Sequence, residues 1–458
     1  MKIVHLVAGA GRVYCGSCLH GNTLVRALRE AGQDAVLLPV YTPLRTDAED
    51  ASVDRVAFGG INVYLQQHSA LFRHTPWFLD RLLDRPGLLR WLGKRASSTR
   101  PERLGALTVS MLRGEEGRQR KELEKLVRWL DGEGRPDVVH LSNAMLAGMA
   151  RQLTARLNVP VVCTLSGEDT FLERLSEPHR SEARAVLRER CADLSALVAM
   201  SRYCADFMAD YLSFPRERIR VIPPGLKLDG HGQRGARFYR AKARWKCAPQ
   251  KHDQSPEGPK KPPLVIGYLS RICPEKGLHV LAEAFRLLAG EQDLPPMRLV
   301  AAGSLGESDR PYLERIQSQL AEWGLADRFR YVGEPDRPAK IAFLESLNVM
   351  SVPTVQRETK GLVILEAWAS AVPVVLPDHG AFSELIRDTG GGLLCEPKSP
   401  PALAAALKRM LLDPKLASEC GRQAQEAVRQ RYHAARVAER TIELYHQAVR
   451  DAAMLNRS

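Results

Sequence analysis

The stretch Glu358-Thr-Lys-Gly-Leu-Val-Ile-Leu-Glu366 places two glutamates eight positions apart at the start of an apolar segment. A helix that begins near Gly361 would carry Glu366 into a mostly buried element, where a carboxylate needs a partner or a ligand. Were the whole stretch helical, the carboxylates would lie roughly 12 Å apart along the axis, with free N–H groups between them to attract an anion. This layout suits a nucleotide sugar, which has hydroxyls at both ends and a charged middle. The alternative is structural: a carboxylate favoured by the helix dipole and an internal Glu held by an Arg.

Length and composition predict a globular protein of two domains. The chain has 458 residues, of which 45% are hydrophobic and 26% are charged. No run of about 18 apolar residues indicates a membrane span, and the N-terminus lacks a signal-peptide pattern. Nine scattered cysteines favour a reduced, cytoplasmic protein.

The net charge of +13 is concentrated in two segments. Residues 71–100 hold seven basic and two acidic side chains, and residues 230–263 hold nine basic and two acidic ones. The rest of the chain is almost neutral, which argues against nucleic-acid binding and for two local basic surfaces. Residues 71–130 look helical with breaks. They form either an insertion packed on the first domain with a solvated basic face or, through 71–100, a contact with an anionic membrane.

Short apolar runs alternate with helical patterns in both halves, which predicts parallel sheets covered on both faces. The expected fold is α/β, with two doubly wound Rossmann-like domains facing across a cleft and a helical insertion, 71–130, in the first. We expect domain one at 1–229, a basic linker at 230–263 and domain two at 264–435. The predicted strands are Ile3–Val7, Ala35–Val40, Val138–Leu141, Val159–Leu165, Leu197–Met200, Leu264–Leu269, Met297–Ala302, Phe329–Val332, Val349–Val352 and Val372–Leu376.

Several polar residues of the second half come directly after predicted strands. Arg271 and Lys276 follow the first strand of that half, and an Arg fork and a Lys point charge both suit a diphosphate. Gly303 ends the next strand, where a nucleobase or ribose could approach the backbone. Asp378 and Glu384 follow the Val-rich strand and would either orient a sugar or cap the next helix.

This order of motifs resembles the retaining GT-B glycosyltransferases of glycosyltransferase family 4, the glycogen-synthase-like and mannosyltransferase-like group. The resemblance implies that Arg271 and Lys276 hold the donor diphosphate and neutralise the leaving group. It implies that Glu358 contacts sugar hydroxyls and acts in catalysis with those two cations. The donor-binding residues would be Arg271, Lys276, Gly303, Glu358, Lys360, Gly361, Leu362 and Glu366, the last at the ribose. With no protein partner assigned to it, Glu366→Ala should weaken donor binding and leave the fold intact.

The N-terminal half resembles the family's acceptor domain, and a C-terminal helix, residues 436–458, would return to it. Relatives have a histidine where this chain has Ser166, so Ser166 and Glu168 are assigned to the acceptor side together with Gly16 of the Gly-rich loop. Cys15 and Cys18 could line a substrate loop, pack at a helix start, form a redox pair or, with His20, bind a metal; we expect no metal. His5 and His140 lie in strands and are interpreted as core residues.

The predicted enzyme is a retaining, metal-independent hexosyltransferase that needs no cofactor. Its partners would be a nucleotide sugar and a hydroxyl acceptor of a lipid, glycan or small molecule, with no nucleic acid. It would be cytoplasmic or peripheral to the inner face of the membrane. Two alternatives keep the fold: a nucleotide-sugar epimerase or hydrolase, and a non-catalytic nucleotide-sugar-binding protein.

Overall fold

A computed structural model describes residues 1–9, 15–47, 49–53, 56–58, 63, 66–67, 104–132, 135–231 and 262–455. The chain divides into two compact units, Met1–Gly225 with Ala434–Ser458, and Leu226–His433. The ends of the second unit meet, because the Leu226 N–H donates to the Tyr432 carbonyl at 2.8 Å. The basic segment 71–100 and nearly all of the predicted linker 230–263 lie outside the described residues.

Each unit contains a six-stranded parallel sheet. The first sheet has the order β2-β1-β3-β4-β5-β6 and the second the order β12-β11-β10-β7-β8-β9. The strands, in chain order from β1 to β12, are Lys2–Val7, Asp34–Pro39, Val138–Leu141, Val161–Leu165, Ala196–Ala199, Ile219–Val221, Leu264–Leu269, Met297–Ala302, Phe329–Tyr331, Val349–Met350, Val374–Pro377 and Gly392–Cys395. Two doubly wound parallel sheets confirm the predicted fold class.

Helices cover both sheets. From α1 to α15 the α-helices of the described residues are Gly16–Glu30, Gly105–Leu112, Arg120–Gly132, Ala150–Leu157, Asp169–Leu172, His179–Ala192, Arg202–Leu212, Leu278–Ala289, Arg310–Glu322, Arg337–Glu345, Leu362–Ala369, Ala381–Thr389, Pro400–Leu412, Pro414–Arg431 and Ala434–Leu455. Short 3-10 turns occur at Gly114–Glu116, Ala144–Met149, Arg216–Arg218, Pro274–Lys276, Glu307–Asp309 and Ala326–Arg328. Within these residues no helix is both long and apolar enough to cross a membrane.

Strand patterns were more informative than helix starts. Each of the ten predicted strands overlaps an observed one, whereas β6 and β12 were not predicted as strands. Helix α15 begins at Ala434, two residues before the predicted start, and belongs to the first unit. Of the predicted insertion, helices α2 and α3 bury Val109, Leu112, Leu123 and other apolar residues in the core of the first unit, so this part is packed against that unit.

Side-chain caps fix several helix starts. Asp336 accepts a hydrogen bond from the Ala339 N–H at the start of α10, and Ser399 accepts from the Ala402 N–H at the start of α13. Such caps satisfy N–H groups that a helix leaves without partners and typically contribute about 1 kcal/mol each. The helices are thereby held at defined positions over the sheets.

The strand order of each sheet identifies one switch point, at which the direction of winding reverses. The order reverses between β1 and β3 in the first unit and between β7 and β10 in the second. In open α/β sheets, the loops after the two strands of a switch point run in opposite directions. They leave a crevice outside the carboxyl ends of these strands. Each unit therefore has one favoured place for a ligand.

Candidate active site

An ion pair spans the switch point of the second unit. Lys276 lies in the loop after β7, and Glu358 lies in the loop after β10. The Lys276 Nζ donates to Glu358 Oε2 at 2.7 Å. The other oxygen, Oε1, accepts from the backbone N–H groups of Thr359 and Lys360, each at 3.1 Å. Two residues predicted to act on the donor are thus in direct contact at the expected edge of the sheet.

The surroundings of Glu358 keep it ionised. Burial alone would raise the pKa of its carboxyl group, but the Lys276 ammonium, the Lys360 N–H and the Lys360 charge outweigh burial and lower the pKa to about 2. The Glu358 side chain is only 16% exposed. At neutral pH this carboxylate is therefore a fixed negative charge and hydrogen-bond acceptor, and it has no proton to donate.

Three glycines allow the loops around this pair to touch. A Cβ at Gly277 would lie 1.8 Å from the Pro353 carbonyl oxygen, and one at Gly380 would lie 2.5 Å from the Glu358 carbonyl oxygen. Gly361 has φ +68° and a Cβ there would meet Leu385 at 2.4 Å. All three have positive φ values, which side chains disfavour. The loops after β7, β10 and β11 are therefore packed backbone to backbone.

The remaining predicted donor residues lie near the same edge, with different surroundings. Arg271 is exposed, and its guanidinium has no hydrogen-bond or ion-pair partner within the described ranges. Gly303 approaches protein and not open space, since a Cβ there would meet the Ser270 carbonyl oxygen at 1.8 Å. Gly361 is the N-cap of α11, which starts at Leu362, and the N–H groups of these two residues find no acceptor in the described part of the chain.

The second glutamate of the opening stretch has a protein partner. Glu366 Oε1 accepts a hydrogen bond from Lys340 Nζ of α10, and both residues are buried. The structural alternative named an Arg, and the actual partner is a Lys. The expectation that Glu366→Ala leaves the fold intact assumed a carboxylate without a protein partner; that substitution would instead remove a buried contact of the Lys340 ammonium.

The two glutamates do not share one helix. Helix α11 is only eight residues long, Leu362–Ala369, and Glu358 precedes it in a loop. The helical spacing of the two carboxylates is thus wrong, although the predicted start near Gly361 is right. The positive φ of Gly361 explains the break, because this conformation cannot continue a right-handed helix.

Asp378 serves the following helix. Its carboxylate accepts from the Ser383 hydroxyl at 2.6 Å and from the Arg387 guanidinium at 3.1 Å, both on α12. Asp378 therefore binds side chains of the following helix, but it does not cap that helix as the structural alternative predicted, because the N-cap is Gly380. The neighbouring His379 donates from Nε2 to the Thr354 carbonyl at 2.9 Å, which ties the loop after β11 to the loop after β10.

In the first unit, Glu168 joins two loops at the sheet edge. Its carboxylate accepts from the Ser166 N–H at 2.9 Å, from the Ala144 N–H at 2.9 Å and from the Ser166 hydroxyl at 3.2 Å. Glu168 is 4% exposed, so these donors compensate its burial. Its visible role is to hold the loops after β3 and β4 together, and only Ser166 of the two remains partly exposed.

Gly16 is the first residue of α1, with open space where a Cβ would be. Cys15 is the N-cap, and Cys18 is buried in the same helix. Neither forms a disulfide. Among the described residues no group of three or more His, Cys, Asp or Glu side chains could hold a metal ion. Residues 10–14 of the Gly-rich loop lie outside the described ranges.

Two buried histidines lie across the switch point of the first unit. His5 of β1 and His140 of β3 are in register, with ring centroids 4.5 Å apart. His140 has hydroxyl partners on both nitrogens, Tyr445 at 2.6 Å and Thr164 at 2.7 Å. Burial first and the neighbouring His20 second lower the pKa of His5 to about 3. Both rings are neutral core groups, as interpreted from their strand positions, but only His140 is satisfied, since neither nitrogen of His5 has a partner in the described part of the chain.

Sequence reasoning missed three features of these edges. Lys340 gave no signal because it lies 26 positions from its partner Glu366. The Ser142 hydroxyl and the Asn143 amide oxygen, just after β3, are buried without a partner in the described part of the chain. Their position after a predicted strand, in His140-Leu-Ser-Asn143, was the available signal.

Known proteins resemble the chain along most of its length. The family model "Glycosyltransferase Family 4" matches residues 95–229, and "Glycosyl transferases group 1" matches residues 249–427. The D-inositol 3-phosphate glycosyltransferase of Jonesia denitrificans is 30% identical over 294 residues, which cover 61% of this chain and 64% of the relative. The chain thus spans slightly less than two thirds of that relative's length.

Solved structures resemble the whole fold. Sucrose-phosphate synthase from Thermosynechococcus elongatus matches with a TM-score of 0.69 at 19% identity, covering 98% of this chain and 99% of that one. HepE from Anabaena, solved in complex with UDP-glucose, matches with a TM-score of 0.65 at 16% identity, covering 98% and 100%. At these identities the likeness establishes the fold alone.

Proposed function

We propose that the chain is a glycosyltransferase of the GT-B fold, which transfers a sugar from a nucleotide-diphosphate sugar to a hydroxyl acceptor with retention of anomeric configuration. The observation that carries this proposal is the Lys276–Glu358 pair at the switch point of the second unit. It sets a cation and an ionised acceptor side by side where a ligand of an α/β sheet binds. The complex of HepE with UDP-glucose supports a nucleotide sugar as the donor class.

The charges suit a diphosphate. A donor diphosphate carries about two negative charges, and Arg271, Lys276 and Lys360 minus Glu358 offer two net positive ones. An ammonium has three N–H donors, so Lys276 can keep its bond to Glu358 and still reach a phosphate oxygen. Arg271 offers its free guanidinium fork. The N–H groups of Gly361 and Leu362 add two uncharged donors.

These groups would act by stabilising departing charge. The bond between the anomeric carbon and the diphosphate oxygen breaks, and the acceptor oxygen forms the new bond on the same face. The acceptor's proton passes to the departing phosphate, so no protein nucleophile or base is needed. Arg271 and Lys276 would stabilise the leaving diphosphate, where fixed cations have their largest effect on rate. Glu358, ionised at neutral pH, would accept hydrogen bonds from the sugar hydroxyls, and Glu366 from the ribose.

The same cations support a reaction without a bound metal or cofactor, since they occupy the role a metal would have at the diphosphate. A cytoplasmic location, with or without peripheral membrane contact through 71–100, is part of the proposal. None of the eight described cysteines forms a disulfide, which supports a reducing compartment. The acceptor would lie near the loops of Gly16, Ser166 and Glu168.

Thermal denaturation with UDP, GDP and ADP, and then with their sugar conjugates, all in EDTA, tests the donor. A ligand at 100 times its dissociation constant adds about 2.7 kcal/mol, a shift of a few degrees. The proposal predicts a shift with one nucleotide that one sugar conjugate enlarges. No shift with any of them, for the folded protein, contradicts it.

Product analysis separates the proposal from its alternatives. Incubation of the preferred donor with a panel of hydroxyl acceptors, followed by NMR of the product anomer, should show a glycoside with the donor's configuration. Donor consumption without any acceptor would indicate the epimerase or hydrolase. Donor binding without turnover on any acceptor would indicate the non-catalytic binding protein. An inverted anomer would refute retention while leaving transfer in place.

A further inference from the structure

The buried pair Lys340–Glu366 uses only one of the two carboxylate oxygens. Oε1 accepts from the Lys340 ammonium, and Oε2 has no partner within the described ranges. Glu366 is 8% exposed, so its surroundings remove most but not all contact with solvent. A carboxylate with one oxygen fixed by a cation and the other open retains a directed acceptor for a ligand donor.

A cation beside Glu366 has a clear physical function. An isolated carboxylate in a buried position is costly, and it avoids that cost by taking up a proton, after which it is no longer a purely accepting group. A single ammonium in contact compensates the charge. Lys340 therefore compensates the charge of the Glu366 carboxylate through Oε1 and leaves Oε2 as an acceptor.

The helix that carries Lys340 is held at its start. Asp336 accepts from the Ala339 N–H, and Pro338 lies in the first turn of α10. The Arg337 guanidinium donates to the carbonyls of Lys227 at 2.7 Å and Asp229 at 3.1 Å. With the backbone anchored just before Lys340 and its side chain 9% exposed, the ammonium has little freedom to move.

We propose that Lys340 is a positioning residue for donor recognition: it orients the Glu366 carboxylate so that Oε2 accepts a hydrogen bond from a ribose hydroxyl of the nucleotide. This inference rests on the proposed function, and it adds a residue that touches neither the diphosphate nor the transferred sugar. Lys340 and Glu366 together would distinguish ribose nucleotides from deoxyribose nucleotides.

The test compares nucleotides that differ only in a ribose hydroxyl. Calorimetry measures the affinity of the full-length protein for UDP, GDP and ADP, and then for the 2′-deoxy and 3′-deoxy forms of the one that binds. A hydrogen bond from a hydroxyl to a charged acceptor contributes about 1.5–3 kcal/mol. The wild type should therefore bind at least one deoxy form with an affinity roughly 10- to 150-fold lower than that for the ribose form.

In Lys340→Met the affinities for the ribose and deoxyribose forms should differ by no more than about threefold, because Glu366 loses its orientation and charge compensation. Lys340→Arg keeps the cation and should retain most of the preference. Lys340→Gln, uncharged and one bond shorter, gives the same measurement should the Met variant not fold. Lys408→Met is the matched control, since Lys408 forms an ion pair with Glu291 on the surface of the same unit. It should keep the wild-type preference.

The outcomes separate the inference from the function it rests on. A Lys340 variant that binds both ribose and deoxyribose forms more weakly, by equal factors, keeps the preference and overturns the positioning role. A wild type that binds a nucleotide without preferring ribose overturns it as well, and leaves the transferase proposal standing. A wild type that binds no nucleotide refutes the proposed function, and the inference with it.

Discussion

Two lysine–glutamate pairs in the second unit have the same chemistry and opposite surroundings. Lys276 and Glu358 lie on loops, with side chains 25% and 16% exposed. Lys340 and Glu366 lie on two helices, with side chains 9% and 10% exposed. An accessible ion pair rearranges at a small cost in free energy, and its ammonium has further N–H donors that can bind a ligand. A buried pair is costly to disturb, so it can hold a geometry.

The largest effect is expected on stability at the buried pair. Lys340→Met leaves the Glu366 carboxylate buried without a cation, which should reduce the free energy of unfolding by about 3–5 kcal/mol. The double variant Lys340→Met/Glu366→Leu replaces both charges by apolar groups and should recover most of that loss. Denaturant titration measures both. Equal stability of the single variant and the wild type would remove the distinction between the two pairs.

The accessible pair should show the reverse pattern. Lys276→Met should lower kcat about 10²- to 10³-fold, the usual result of removing one donor from a site where charge develops. Its free energy of unfolding should fall by about 1–2 kcal/mol, less than that of Lys340→Met, because the pair is partly exposed and the Thr359 and Lys360 N–H groups still bind Glu358. Steady-state kinetics and denaturant titration of the same preparation check both. A stability loss as large as that of Lys340→Met would show that the pairs do not differ in function.

Lowering the pH should reduce the difference in free energy of unfolding between the wild type and Glu358→Gln. The pKa of Glu358 is lowered from an ordinary 4.5 to about 2, so the folded state binds this proton later than the unfolded state. The stabilisation is complete above pH 4.5 and disappears as the pH falls through about 2. Relative to Glu358→Gln, the wild type should hold an advantage on the order of 2 kcal/mol at neutral pH that vanishes towards pH 2.

Chemical denaturation of both proteins between pH 7 and pH 3 makes this comparison. The neutral histidines of the first unit contribute their own acid sensitivity, but they are common to both proteins and cancel in the difference. A difference in free energy of unfolding between the two proteins that stayed constant down to pH 3 would mean that the ion pair does not hold the Glu358 carboxylate in its charged form.

The smallest effect is expected at a third pair. Lys408 contacts Glu291 at 2.7 Å and Asp293 at 3.0 Å, all on the surface of the second unit. Lys408→Met should change neither the melting temperature nor the affinity for nucleotides measurably, because exposed ion pairs are largely offset by solvation and side-chain entropy. A clear destabilisation would show that exposure alone does not rank the three pairs.

The sequence was most informative where a local pattern determines the structure. Apolar runs such as Leu264–Leu269 and Met297–Ala302 coincide with observed strands, because a buried parallel strand must be apolar on both faces. The strand ends then placed Arg271, Lys276 and Glu358 at one edge of a sheet. Their proximity follows from topology, since residues that follow adjacent parallel strands lie near one another.

Contacts between distant segments were beyond that reasoning. The Lys340–Glu366 bond joins two helices whose rotation about their axes no local pattern specifies. Glu168 was placed at an acceptor site because of its neighbours in sequence, whereas its carboxylate is directed at the Ala144 and Ser166 N–H groups. The contact of Gly380 with Glu358 likewise depends on how two loops pack.

The second unit begins and ends at the same place. The chain enters it at Leu226 and leaves it at His433, and these two residues pair as an isolated β-bridge. A module whose ends adjoin can be excised, joined head to tail or exchanged for the equivalent part of a relative without stretching its backbone. Residues 226–433 are accordingly the natural unit for chimeras in which one unit of this protein is combined with the complementary unit of a relative.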